Sequence, residues 1–181
     1  MNLNDAARAH IERFRYANGQ KIRARNPLQL ERNLNDDYVK FLGFSSALLP
    51  PGAGVLGMIT NRMFLDSESL VGLREWFMTN FDQIYIVDLW GSSEESRRVA
   101  RLANDENVFD ILQGVAVSLL VRRRSHKAVA RLVHAREVIG KREAKYRLLI
   151  DDLAVGEAGW DKIMPRPGMW RLHRRDNGER T

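Results

Sequence analysis

Two short apolar runs, separated by a segment with helical periodicity, limit the possible folds of this chain more than any other feature. Residues 54–60 and 83–89 are rich in aliphatic and β-branched side chains, and both are short enough to be strands. Residues 67–80 between them carry apolar side chains at helical spacing. The first run is predicted to be a strand buried on both faces, and a strand–helix–strand order with two apolar strands predicts a βαβ unit in a parallel sheet.

The segments on either side of this unit extend the prediction. Periodicity predicts helices over 4–16, 35–49 and 141–152, and strands over 114–122 and 128–138. Because the two later strands flank a short basic turn, we expect them to pair as an antiparallel hairpin at the edge of the sheet. The polar stretch 91–107 is typical of a mobile insertion, and 17–33 and 153–181 are predicted to be mostly irregular. The fold class is α/β, with parallel strands plus a closing antiparallel hairpin, and these strands are too few for a complete doubly wound domain.

Composition removes several classes of function. The chain has no cysteine, which excludes disulfides, thiolate metal sites and cysteine nucleophiles, and its four histidines show no ligand spacing. No apolar run reaches the ~18 residues of a membrane span. The N-terminal residues are polar and amphipathic, unlike a signal peptide. We therefore expect a cytoplasmic protein with no membrane partner.

Charge is distributed unevenly along the chain. Residues 1–118 contain 13 basic and 15 acidic residues, whereas residues 119–181 contain 16 basic and 8 acidic residues. A basic half of this kind predicts an acidic partner such as nucleic acid, although a solvated basic surface explains it equally well. The densest cluster lies in the predicted hairpin turn, and its candidate phosphate contacts are Arg122, Arg123, Arg124 and Lys127. The alternative for this cluster is an ordinary solvated turn.

Two short motifs are better explained by local structure than by chemistry. Residues 52–57 match the spacing G-x-G-x-x-G, but they follow a predicted helix and lead into a strand, the reverse of a dinucleotide-binding turn. We interpret them as a tight helix-to-strand connection. Asn26 and Pro27 begin like the Asn-Pro-Pro-Tyr tetrapeptide of amino-methyltransferases, but Leu28 and Gln29 supply neither the second proline nor the aromatic. We interpret this stretch as a turn.

Several longer stretches, taken in order, resemble one enzyme family. They are Asn35-Asp36-Asp37-Tyr38-Val39-Lys40-Phe41, Gly57-Met58-Ile59-Thr60-Asn61, the run from Asp82 to Gly91 (DQIYIVDLWG), the run from Asn107 to Val117 (NVFDILQGVAV), the segment 128–152, and Trp160 with Pro165 and Pro167. Together, from about 26 to 175, they resemble the adenine-specific methyltransferase region of single-chain restriction–modification enzymes, the type ISP group and its type II relatives. The resemblance implies the C-terminal half of a Rossmann-like methyltransferase sheet, with double-stranded DNA as a partner.

Two parts of that family's pattern are missing from this sequence. These are the glycine-rich turn that binds the methyl donor and the Asn-Pro-Pro-Tyr tetrapeptide. The resemblance therefore implies that S-adenosylmethionine belongs to the intact enzyme, that this chain alone binds no cofactor and is inactive, and that an N-terminal methyltransferase half lies in the same or a neighbouring chain. The expected organisation is a helix and linker over 1–34, a partial methyltransferase domain over 35–152, and a connector over 153–181.

The resemblance assigns roles to a small number of residues. In this family an adenine is flipped out of the duplex and held between aromatic side chains, and Phe109 matches the aromatic on one side. Asn61, at the carboxyl end of a predicted strand, and Gln113, beside the Phe109 loop, are expected near the base. The alternatives are a core phenylalanine for Phe109 and a capping or turn asparagine for Asn61.

Three functions remain open on the sequence. The first is a part of an adenine-specific DNA methyltransferase that contributes the target-base side of the sheet and DNA contacts. The second is a non-catalytic, basic DNA-binding or regulatory module. The third is a separate small α/β enzyme, which the absence of paired carboxylates, Ser/His pairs or metal-ligand spacing counts against.

Overall fold

A five-stranded mixed sheet forms the centre of the structure, a computed structural model that describes residues 8–23, 26–50, 52–92, 104–123, 132–152 and 159–172. Its strands are β3 (Gly54–Asn61), β4 (Gln83–Trp90), β5 (Val115–Arg122), β6 (Val133–Glu137) and β7 (Asp161–Ile163), in the spatial order β3-β5-β4-β6-β7. A separate two-stranded hairpin is formed by β1 (Tyr16–Ala17) and β2 (Gln20–Lys21). The α/β class predicted from the sequence is confirmed.

The helices of the described chain are short. They are α1 (Pro27–Leu34), α2 (Asp37–Leu48), α3 (Val71–Asn80) and α4 (Arg142–Arg147), the last of which continues as a π-helical turn, Leu148–Asp152. Residues 8–15 are also helical, and 3₁₀ turns occupy Arg62–Leu65 and Glu68–Leu70. The predicted helices over 35–49 and 67–80 correspond to α2 and to the 3₁₀ turn followed by α3.

The order of the strands differs from the simple βαβ prediction. Strands β3 and β4 have the same direction, because each pairs antiparallel with β5, but β5 lies between them. The only parallel pairing in the described sheet joins β4 to β6. The predicted strand–helix–strand unit is therefore present with its two strands parallel but not adjacent.

The predicted hairpin between 114–122 and 128–138 is wrong. β5 is paired on both sides by β3 and β4, so no edge of β5 is left for β6. β6 instead pairs with β4 and, antiparallel, with β7. Residues 124–131, which include most of the predicted turn, lie outside the described residues.

The helices cover one face of the sheet and enclose the larger core. Side chains from α1, α2 and α3 pack there against the even-numbered residues of β4 and β5. Ile11, Phe14 and Leu172 are buried in the same core, so the beginning and the end of the described chain both pack against the central elements. Burial of aliphatic and aromatic side chains in this layer is the main source of stability.

The opposite face of the sheet is covered only in part. A second cluster, which includes Val87 and Leu89 of β4, packs beneath Leu148, Leu149 and Trp160. This cover does not extend to β3, where Val55 is 59% exposed and Ile59 is 57% exposed. The prediction that strand 54–60 is buried on both faces is therefore wrong for this strand, whereas β4 is buried on both faces as expected.

Helix α1 was not predicted, and its start has a clear chemical cause. Asn26 adopts an extended conformation and its side chain accepts a hydrogen bond from Gln29 N, while Pro27 takes the first helical position. Asparagine as N-cap followed by proline is a favourable helix start, because proline lacks the N–H that the first turn cannot satisfy. The stretch that sequence reasoning interpreted as a turn is thus the start of a helix.

Two buried cations hold the chain's irregular segments in place. The Arg74 guanidinium donates to the carbonyl oxygens of Phe64, Ser67 and Met169 at 3.0, 2.7 and 2.8 Å, and burial lowers its pKa to about 10, so it stays charged at neutral pH. The Lys145 ammonium lies 2.7 Å from the Asp105 carboxylate, and both side chains are fully buried. Arg74 joins the 164–172 segment to the 3₁₀ turn Arg62–Leu65. Lys145 holds the end of the predicted insertion, 91–107. Residues 93–103 of that insertion lie outside the described residues.

Candidate functional site

A cavity of about 420 Å³ opens at the edge of the sheet where β3 ends and β5 begins. Asn61, Phe109 and Gln113 all line it, together with Asp36 and Tyr38 from the start of α2. The sequence analysis expects the first three near a bound base, and in the structure they line one space. The carboxyl ends of β3, β4 and β6 lie at the same edge of the sheet, which is where open α/β sheets bind their ligands.

Phe109 projects from a loop rather than from the core. It is 44% exposed, so the alternative of an ordinary core phenylalanine is wrong. Its neighbour Val108 is buried in the second core cluster and anchors the loop from below. The ring is therefore available to a planar ligand that enters the cavity.

The buried amide of Asn107 shapes this loop. Its Nδ2 donates to the carbonyl oxygens of Gly91, Ile111 and Gln113 at 3.0, 3.0 and 2.7 Å, and its Oδ1 accepts from Phe109 N at 3.0 Å. One side chain thus joins the end of β4 to both ends of the 107–113 loop. This pattern predicts that the loop keeps its shape when the cavity is empty.

Helix α4 braces the same loop from outside. Arg142 Nε donates to the carbonyl oxygen of Asn107 at 2.8 Å, and its Nη2 lies 2.7 Å from Asp110 Oδ1. The hydrogen bond with Asp110 raises the pKa of Arg142. Tyr146 adds a hydrogen bond of 2.5 Å from its hydroxyl to the carbonyl oxygen of Val108.

Asn61 and Tyr38 both line the cavity, and their polar groups have different surroundings. Asn61 caps the following 3₁₀ turn, since its Oδ1 accepts from Met63 N at 2.9 Å, so the capping alternative for Asn61 is realised. The cap uses the carbonyl oxygen of the Asn61 side chain, and its amino group can still donate to an acceptor on a ligand, so capping does not exclude a ligand contact. Burial raises the pKa of the Tyr38 hydroxyl, with the Asp36 carboxylate adding to the effect, so this phenol is neutral.

A buried ion pair lies directly behind the cavity. Arg62, which follows Asn61, binds both carboxylate oxygens of Asp88 at 2.8 and 2.7 Å, and its guanidinium carbon lies 3.7 Å from the centre of the Trp90 ring. Arg62 N also donates to the carbonyl oxygen of Gly114 at 3.0 Å. A Cβ at Gly114 would collide with Arg62 Cδ, so a larger residue there would force the ion-paired Arg62 side chain to move. The pair therefore joins β3, β4 and the start of β5 at the site.

Other solved structures contain a segment with this fold, among them the following three. The chain matches an ATP-dependent Type ISP restriction-modification enzyme, LlaBIII, bound to DNA (TM-score 0.77, 23% identity, 98% of this chain and 11% of that chain). It matches a DrdV–DNA complex (TM-score 0.70, 24% identity, 97% and 16%) and a nuclease-deletion mutant of the Type ISP restriction-modification enzyme LlaGI in complex with a DNA substrate mimic (TM-score 0.71, 22% identity, 95% and 16%). The chain shares its fold with one segment of each.

At 22 to 24% sequence identity, these matches show a shared fold and no more. No protein-family model matches the chain, and no curated protein matches it. The chain spans 11 to 16% of the length of the three proteins that it matches.

The two described residues of the predicted phosphate cluster, Arg122 and Arg123, do not line the cavity. Arg122 lies at the end of β5, where its Nε donates to the carbonyl oxygen of Asn80 at 3.0 Å and its guanidinium carbon is 5.2 Å from the Phe81 ring centre. These contacts give Arg122 a role in holding the end of α3. Arg123 is exposed, with its backbone N–H donating to Asp82 at 2.6 Å. Arg124 and Lys127 lie outside the described residues.

Sequence reasoning missed two residues of the site. Tyr38 and Asn107 both stand in stretches on which the family resemblance rests, but neither was given a role there. The signal for Asn107 was weak, because a buried asparagine that binds distant carbonyl groups leaves no local pattern.

Other kinds of site find no support in the described part of the chain. No cluster of three or more metal-ligating side chains occurs among the described residues. The glycines of 52–57 form the predicted helix-to-strand connection, since Gly52 has φ +94° and β3 begins at Gly54. Among the described helices, none has the length and hydropathy needed to span a membrane.

Proposed function

We propose that this chain is one part of an adenine-specific DNA methyltransferase of a restriction–modification system, with a Rossmann-like sheet of which it supplies the target-base side. The cavity at the carboxyl ends of the strands carries this proposal, because it combines an exposed aromatic ring with amide side chains. The methyl donor S-adenosylmethionine and the catalytic tetrapeptide are assigned to another part of the enzyme. The chain is therefore expected to be inactive alone.

The chemistry of the cavity suits an unpaired adenine. Phe109 offers a face for stacking, which every base accepts, and Gln113 and Asn61 carry amide groups. An amide that both donates and accepts matches the adjacent donor and acceptor on an adenine edge. An adenine has to leave the duplex before its amino group can be modified, so a cavity of this kind implies a flipped base.

The structural comparisons support DNA as the partner. The proteins that share this fold are described as bound to DNA or to a DNA substrate mimic, and two are named as Type ISP restriction-modification enzymes. The net positive charge of residues 119–181 agrees with a polyanionic partner. A basic DNA-binding or regulatory module would share the positive charge, but it would not need a cavity for a base.

Replacing Phe109 by alanine is expected to weaken binding to DNA with an unpaired adenine by about 5- to 150-fold, since base stacking on an aromatic is worth ~1–3 kcal/mol. The measurement is fluorescence anisotropy with a duplex that carries one mismatched adenine. The control is Leu28→Ala on α1, which removes an apolar side chain that is 81% exposed and does not line the cavity. Equal binding by both variants and the parent would contradict the base cavity. It would favour the alternative function, a non-catalytic, basic DNA-binding or regulatory module.

The same titrations at several salt concentrations separate stacking from ionic contacts. The Phe109→Ala variant is expected to keep the parental salt dependence, because stacking is not ionic. Arg123→Ala is expected to lower the log–log slope by about 0.9, the contribution of one phosphate contact. Arg122→Ala is expected to lower it less, because its guanidinium contacts Asn80 and Phe81 in the structure.

The proposed partner half would meet this chain at β3. This strand is at the end of the described sheet, with β5 on one side and no described strand on the other. Val55 and Ile59 are exposed on the incompletely covered face, next to a cavity of about 290 Å³ that Ile59, Tyr85 and Trp160 help to line. An open edge beside apolar surface is the arrangement that another strand covers.

The isolated chain is therefore expected to self-associate through this edge. The double variant Val55→Lys/Ile59→Lys is expected to suppress the association, because lysine on an edge strand opposes strand addition. Sedimentation velocity measures the outcome, and Leu28→Lys, also at an exposed apolar position, serves as the control. A parent chain that stays monomeric, with slowly exchanging amides throughout 54–60, would contradict the proposed partner half.

A further inference from the structure

Tyr38 lines the proposed base cavity, but nothing in the proposed function uses its hydroxyl group. The ring is half-buried and packs against the larger core. Its backbone N–H donates to the Asp36 side chain at 3.4 Å, the contact that caps α2. A side chain that is held at its ring and at its backbone loses little freedom when a ligand binds.

The Tyr38 hydroxyl has no hydrogen-bond partner among the described residues. Within the same part of the chain, Trp170 Nε1 is the side-chain atom that is both sealed from solvent and without a partner, so the Tyr38 oxygen is reached by solvent. Tyr146, by contrast, donates its hydroxyl hydrogen to the carbonyl oxygen of Val108. Because Tyr38 already stands against the cavity, a ligand bound there can supply the missing partner.

The charge state of Tyr38 decides what kind of partner this is. Burial raises the pKa of the hydroxyl, the Asp36 carboxylate raises it further, and Arg74 acts in the opposite direction. The phenol is therefore neutral and keeps the proton that it can donate, whereas a phenolate could only accept. Tyr38 thus gives the cavity wall one uncharged donor.

Adenine has more hydrogen-bond acceptors than donors. Its ring nitrogens N1, N3 and N7 accept, and its N6 amino group is its one donor group. An amide side chain that binds the adjacent donor and acceptor on one edge leaves two ring nitrogens without a partner. A neutral hydroxyl donor at the cavity wall suits one of these two acceptors.

We propose that Tyr38 is a base-selecting residue, whose hydroxyl donates a hydrogen bond to a ring nitrogen of the adenine in the cavity. The inference rests on the proposed function, because it needs an adenine stacked on Phe109. Stacking alone does not select adenine, since every base offers a face to an aromatic ring. The polar edge distinguishes one base from another, and the Tyr38 hydroxyl contacts that edge.

The test compares Tyr38→Phe with the parent on a duplex with one mismatched adenine and on three duplexes with 1-deaza-, 3-deaza- or 7-deazaadenine at that position. Each analogue replaces one ring nitrogen by a C–H group, which cannot accept. Tyr38→Phe is expected to bind the adenine duplex about 2- to 10-fold more weakly, the value of one hydrogen bond. On one of the three analogues, variant and parent are expected to bind equally, because the acceptor for the hydroxyl is already gone.

Controls separate this contact from folding and from the base cavity. Tyr38→Phe is expected to unfold at the parental temperature, because the hydroxyl bonds to no described residue. Tyr16→Phe, which removes the hydroxyl of an exposed tyrosine that does not line the cavity, is expected to leave all four affinities unchanged.

Parental binding of the adenine duplex by Tyr38→Phe, or an equal loss on all four duplexes, overturns the proposal. If Phe109→Ala loses adenine binding while Tyr38→Phe does not, the base cavity stands and the role of Tyr38 fails. If Phe109→Ala binds like the parent while Tyr38→Phe shows the loss that one analogue removes, stacking on Phe109 fails and the Tyr38 contact stands.

Discussion

Replacing Asp105 by alanine is expected to lower the free energy of unfolding by about 3–5 kcal/mol, the cost of leaving a buried charge without its partner. Asp105 lies 2.7 Å from the Lys145 ammonium, and neither side chain is exposed to solvent. Its two carboxylate oxygens also accept from Gly140 N at 2.8 Å and from Gly91 N at 2.6 Å. One substitution would therefore leave a buried ammonium and two backbone N–H groups without these acceptors.

Equilibrium denaturation in urea measures this loss. Glu106→Ala is the matched control, since this next residue makes an exposed ion pair with Lys141, and exposed pairs contribute little. The double variant Asp105→Ala/Lys145→Met is expected to be more stable than Asp105→Ala, because it removes the stranded charge as well. Similar small losses for Asp105→Ala and Glu106→Ala would show that this pair is not an anchor of the fold.

The elements that sequence reasoning located correctly are those with strong local signals. Helix α2 lies within the predicted range 35–49, and it begins after Asp36, which accepts from Tyr38 N in the extended conformation that an N-cap requires. Strand β4 carries a run of apolar side chains over 84–87, and it is buried on both faces. Start signals and apolar periodicity are local properties, so they can be seen without knowing which strands meet.

Strand order could not be predicted in the same way. The alternation in β6 suits a strand with two different faces, and it is equally compatible with a hairpin on β5 and with the observed parallel pairing on β4. The choice depends on which edges are already occupied, and β5 has none left. Pairing between distant segments leaves no trace in the spacing of residues within either one.

The site was predictable in outline and not in detail. Asn61, Phe109 and Gln113 were expected near one another, and they line one cavity, while their roles toward a base stay predictions. The Asn107 side chain that arranges the loop acts through contacts with Gly91 and with carbonyl groups several residues away. Such contacts exist only once the end of β4 and the loop are folded together.

Replacing Asp88 by alanine is the second substitution with a large expected effect, a loss of about 3–5 kcal/mol in the free energy of unfolding. Its carboxylate binds the buried Arg62 guanidinium through both oxygens and accepts from Trp90 N at 3.2 Å. Trp90 follows the bulge in β4 and has φ +51°, a conformation that a tryptophan adopts only when its surroundings hold it there. Loss of the Asp88 carboxylate would remove the contacts that hold Arg62 and Trp90 in place.

This substitution is expected to affect the site as well as the fold. Arg62 directly follows Asn61 and holds the carbonyl oxygen of Gly114 beside Gln113, so movement of Arg62 would displace two walls of the cavity. At a temperature where Asp88→Ala is still folded, we expect it to bind the mismatched-adenine duplex more weakly than the parent. Glu31→Ala, which removes the exposed ion pair with Arg15, should change neither stability nor binding by more than a small amount. Parental adenine binding by a folded Asp88→Ala variant would separate the ion pair from the cavity and leave it a role in stability alone.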